Sequence, residues 1–167
     1  MCADYTAITA LHKRHHDDYE EAKEQIRQAL GDISAIEIFG SQVLVAAYVR
    51  PNKTTTGLYL SVKMQTEDIW QGKAVLVLKL GPSAYDGDDS YLRAIFGDRN
   101  PLAPGDWVFV RAADGHPMSL IGDGGERVMA KDHRGGEIPI FDWDGWPCRV
   151  VPAESIIGRI NKPHSIV

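Results

Sequence analysis

The chain has 167 residues, 44% of them hydrophobic, and a formal net charge of −5. That length suits one embellished domain with a substantial core, and the composition argues against disorder as the ground state. The acidic balance supplies no basic face for a phosphate backbone, and no apolar run approaches the roughly 18 residues of a membrane helix, so neither nucleic acid nor a membrane is an expected partner.

In chain order, Ile8, Leu11, Tyr19, Ala22, Ile26, Ala29 and Ile33 recur at spacings of three and four, broken at His15, with charged residues between them. This predicts an amphipathic helix over residues 5–30, stopped at Gly31, in an N-terminal extension spanning 1–33. Its apolar stripe is thin, so it can pack on its own domain or dock on a partner. From Ile36 the pattern becomes β-rich, and residues 34–167 read as one mainly β domain. Val43–Val49 is a strand, Arg50–Thr56 a polar loop, and Gly57-Leu58-Tyr59-Leu60 a short apolar tetrad. Ala74–Leu80 is a strong strand between Gly72 and Gly81-Pro82, and Trp107–Arg111 another after the Pro104-Gly105-Asp106 turn. Tyr85–Asn100 opens acidic and can form a helical turn or two over Ser90–Phe96. Gly115–Gly136 is glycine-rich and reads as loop. Glu137–Phe141 and Cys148–Val151 are short strands around a turn at Trp143–Pro147. Ala153-Glu154-Ser155 is a turn before a final strand, Ile156–Ile160. Short strands separated by glycine and proline turns predict a barrel or sandwich.

Residue types that carry chemistry do not converge in the sequence. His116 and Ser119 form a lone His–Ser pair in a loop, without a third member. His12 and His16 share a helix face, and His15, Asp17 and Asp18 are near, but no zinc ligand set is complete. Asp86-Gly87-Asp88-Asp89 lacks the spacing of a calcium loop. Cys148 reads as a small buried hydrophobe, and with Cys2 near the chain start no disulfide framework is expected. Trp70, Trp107, Trp143 and Trp146 read as core or interface. The expectation is a non-enzymatic protein with no metal and no cofactor, made in the cytoplasm in the absence of a signal-peptide pattern.

The order of these features resembles the GroES co-chaperonin family. Val43-Leu44-Val45 is similar to that family's first long strand. Arg50–Thr56 leading to Gly57-Leu58-Tyr59-Leu60 resembles its mobile loop, where a glycine and three apolar residues dock on the chaperonin. Gly72–Gly81, Gly105–Val110 and Val150–Ile160 resemble the following strands and the closing segment. The resemblance covers about two thirds of the chain. It implies a small GroES-like β-barrel, with insertions at 82–104 and 115–147, that forms a homo-oligomeric ring or larger assembly. Gly57, Leu58, Tyr59 and Leu60 would then contact the chaperonin, and the terminal strand (Ile156, Ile157, Ile160) would contact a neighbouring subunit. The helical extension and the two insertions depart from the family. Divergent phage-encoded members tolerate such changes, and the same barrel reused as a structural subunit, such as a virion decoration or joint protein, is the alternative.

Overall fold

The computed structural model describes residues 19–50, 61–85, 102–131, 134–139 and 144–161. The Gly57–Leu60 tetrad, the His12–Asp18 cluster, the Asp86–Asp89 and Ser90–Phe96 segments and Trp143 lie outside the described residues.

Residues 19–30 are helical (α1). Tyr19, Ile26, Ala29 and Leu30 are buried, while Glu20, Glu24, Arg27 and Gln28 face water, as the three-and-four spacing requires. The helix stops at Gly31, whose φ of 63° is left-handed and whose N–H donates to Arg27 O at 2.8 Å. A side chain there would also meet Gly125 N at 2.3 Å, so only glycine lets the 122–125 segment cross the helix end.

Among the described residues eight strands follow: β1 (Gln42–Ala47), β2 (Ala74–Leu80), β3 (Trp107–Val110), β4 (His116–Leu120), β5 (Met129–Lys131), β6 (Glu137–Pro139), β7 (Trp146–Pro152) and β8 (Ile156–Arg159). A second helix, α2 (Val62–Gln71), lies between β1 and β2. Six strands form one antiparallel sheet in the order β4-β7-β1-β2-β3-β8, and β5 pairs with β6 as a separate ribbon. β7 and β8 are four positions apart in that order, about 19 Å in a flat sheet at about 4.8 Å per strand. The 3-10 turn Ala153–Ser155 that joins them advances only about 2 Å per residue, roughly 8 Å in all. The sheet therefore curls until β8 returns beside the end of β7, which makes it a small barrel.

Curling gives the sheet two buried faces. Val43, Val45, Val75, Val77, Val108, Val110 and Val151 fill the inside. Leu44, Ala46, Leu76, Trp107, Trp146 and Cys148 face outward, where Ile26, Ala29 and Leu30 of α1 cover them. Burial on both faces explains why β1 reads as an unbroken apolar run rather than an alternating one. The α1 stripe is thus used by its own domain.

Three readings of the sequence need correction. The glycine-rich Gly115–Gly136 stretch contains β4 and β5. β4 is a sheet edge, nearly all exposed, and carries Pro117, so it lacks the apolar alternation that marks a strand. Trp146 and Pro147 belong to β7 rather than to a turn; Trp146 is buried and its indole N–H donates to Ala47 O at 2.8 Å. The strand at Glu137 pairs with β5, not with β7.

Candidate functional site

The connection from β1 to β2 contains the tetrad, and both of its described ends are anchored. Leaving β1, Tyr48 is buried edge-on against Trp107, with ring centroids 5.5 Å apart, and its N–H donates to Ala74 O at 3.0 Å. Two residues on, the Arg50 guanidinium forks onto Asp68 of α2: Nε donates to Oδ2 at 2.7 Å and the second terminal nitrogen to Oδ1 at 2.7 Å. The Arg50 backbone N–H adds a bond to Oδ2 at 3.3 Å. These hydrogen bonds to Asp68 push the Arg50 pKa up, and the planar match of guanidinium to carboxylate makes the contact directional as well as strong. A cleft of about 220 Å³ opens beside it, lined by Glu67, Gln71, Lys73 and Ala112. Leu60 is two residues before the start of α2, so in the chain the tetrad lies between the two partners of this staple, Arg50 and Asp68.

The terminal strand presents less than the sequence suggests. Ile156 is half-buried against the inner valine core, and Ile160 packs on the outer core. Ile157 alone is exposed, at 58%. The register explains it: Phe109 opposes Gly158 and Val110 opposes Ile156, so Ile157 is the extra residue of a β-bulge. The other sheet edge, β4, carries Pro117, which has no N–H to offer an added strand. Both edges are thus blunted against simple strand addition.

A third cluster, which the sequence reading missed, lies where the barrel edges meet. Arg149 is 3% exposed, on the inner face with Val151, and donates to Asp114 O at 3.4 Å and to Gly72 O. Burial pushes its pKa down, partly offset by Asp114. Ser155 Oγ, also buried, donates to Asp114 Oδ2, and Gly115 N–H donates to Oδ1 at 3.1 Å. The Ser155 bond is the main reason the Asp114 pKa is lowered; Gly115, Arg111 and Arg149 act the same way. A carboxylate held below its usual range suits a fixed acceptor rather than a general base near neutral pH. The one sequence signal for this cluster was a lone arginine inside the apolar Cys148–Val151 run.

Other candidate chemistry stays apart. His116 and Ser119 are three residues apart on β4, so strand alternation points them to opposite faces. Cys148 is buried and its thiol pKa is pushed up by desolvation. Among the described residues no group of three or more His, Cys, Asp or Glu could hold a metal ion, and no helix is long and apolar enough to cross a membrane. Compared with known proteins, the sequence matches no family model and no curated protein.

Proposed function

We propose that this chain is a non-enzymatic co-chaperonin: a GroES-like barrel that binds a chaperonin ring through Gly57-Leu58-Tyr59-Leu60. The observation that carries the reading is the tetrad's place in the chain. It lies on the connection between two adjacent antiparallel strands, β1 and β2, and the Arg50–Asp68 staple ties that connection at its base. A stapled base lets an arm reach outward without loosening the strands that carry it. Burying Leu58 and Leu60 in an apolar groove would yield roughly 3–6 kcal/mol. Ordering about a dozen residues costs more than that. A single arm would bind weakly, and an oligomer presenting several arms would bind tightly through effective concentration.

The test is capture of the full-length protein by a chaperonin ring in the presence of nucleotide. Wild type should be retained, and Leu60→Ala should keep its thermal midpoint while losing about 1–3 kcal/mol per arm. Failure of the wild type to bind would overturn the reading. A second reading, a structural or assembly subunit such as a virion component, is favoured by the β5–β6 ribbon. That ribbon stands outside the main sheet and exposes Met129 at 43% and Ile138 at 45%, as an element meant for a neighbour would. In that case Leu60→Ala should lower assembly yield with no chaperonin present. The first reading implies a cytoplasmic protein, the second a virion component.

A further inference from the structure

The strand order leaves β4 and β8 at opposite ends of the sheet, so the barrel has a seam that no β-ladder closes. Side chains bridge it. Asp114 sits in the corner between β3 and β4, and Ser155 is the last residue before β8. Their hydrogen bond joins that corner to the root of the terminal strand, backed by Arg111 N–H donating to Ser155 O at 3.3 Å and by buried Arg149 beneath. Among the described residues β8 is also held by its ladder to β3, by the packing of Ile156 and Ile160 and by an ion pair. Its register with β3 covers three residue pairs around the Ile157 bulge, followed by Ile160 N–H donating to Trp107 O at 2.9 Å. Its Arg159–Asp106 ion pair, 3.0 Å long, has side chains 52% and 28% exposed, and solvent screens such a pair.

We propose that the Asp114–Ser155 bond is a latch on β8, and that β8, once unlatched, exchanges into the same position in a second copy of this chain. The choice of occupant follows from what β8 fits. Ile156 needs the inner valine core, Ile160 needs the outer core, and Gly158 lies under the Phe109 ring, where a Cβ would stand 2.6 Å from a ring carbon. Among the described residues the groove along β3 meets all three demands, and a second copy carries the same groove. Exchange would re-form the contacts of Ile156–Ile160 in the closed barrel and change only the hinge before them. That hinge is the 3-10 turn Ala153–Ser155, entered from Pro152 in extended conformation. No chaperonin enters this inference, so it stands or falls apart from the function proposed above.

The test uses full-length Ser155→Ala and, separately, Asp114→Asn. Amide hydrogen exchange is followed at neutral pH, and sedimentation is measured from about 10 µM to about 1 mM protein. The inference expects the β8 amides to exchange about tenfold faster or more than in wild type, with β1, β2 and β7 unchanged. A dimer should then form slowly as concentration rises, with β8 protected again within it. Uniform acceleration across the barrel, or none at β8, overturns the latch. Selective release with a monomer at every concentration overturns the exchange. Should both variants fail to fold, the wild-type exchange profile decides: β8 must be the first strand of the main sheet to exchange.

Discussion

Arg50 and Arg149 are both arginines that follow apolar stretches of strand, and their surroundings give them different work. Arg50 lies just past the end of β1, with its side chain 24% exposed, and finds a carboxylate 18 positions away in sequence, on a different element. Its bidentate geometry and partial burial should make the pair worth about 1–2 kcal/mol, above the usual range for exposed pairs. A double-mutant cycle on Arg50→Ala and Asp68→Ala, read by urea denaturation, should return that coupling. A value near zero would mean that α2 is held by packing alone. Arg149 has no side-chain carboxylate bond; it donates to two backbone oxygens and is otherwise enclosed. Its position was legible, since alternation puts it with Val151, but its partners come from residues 72 and 114 and could not be read from neighbours in the chain.

At the scale of elements, the long apolar strands and the short β6 and β8 were read as strands, while β4, β5 and α2 were not read. β1, β2 and β3 carry enough β-branched residues to declare themselves. β4 exists because β7 offers it a ladder, and α2 exists because Ile69 and Asp68 find partners on the barrel. Neither has a local pattern strong enough to stand alone. The turn into β7 shows how tightly β4 and β7 meet. Gly145 has φ 83°, and a Cβ there would stand 2.0 Å from Leu120 O. Gly135, in the β5–β6 ribbon, has φ 82° with open space around it. Gly135→Ala should therefore cost about 1 kcal/mol for its left-handed backbone, and Gly145→Ala more than about 2 kcal/mol. Equal shifts in the denaturation midpoint would show that the β4–β7 contact yields freely.

For the whole molecule, acid is the condition that reaches the barrel seam. Asp114 is held below the usual aspartate value of about 3.9 by Ser155 above all, and Asp32 likewise by Ser34. A depressed folded-state pKa contributes stability that is fully present above the unfolded value and is lost as pH falls through the folded one. The thermal midpoint should therefore be insensitive to these two groups above about pH 5 and fall with acid below about pH 4. Asp114→Asn should flatten that acid limb, which circular dichroism melts between about pH 3 and pH 7 would reveal. An unchanged limb would show that Asp114 is protonated alike in folded and unfolded chains.

By itself the sequence determined the class of structure: the 3.6-residue period over α1, the stop at Gly31, the β-branched runs of β1, β2 and β3, and the closing turn and strand at 153–159. These are properties of neighbouring residues, and local sterics with hydrophobic periodicity express them directly. Only the tertiary structure decided that α1 covers the outer face of the sheet, that Arg50 meets Asp68, that Ile157 bulges outward while Ile156 and Ile160 turn inward, and that Asp114, Arg149 and Ser155 gather at one seam. Each depends on strand register and barrel curvature, which bring together residues 18 to 41 positions apart or more. Register and curvature arise from the closing of the whole sheet, so no short window of sequence contains them.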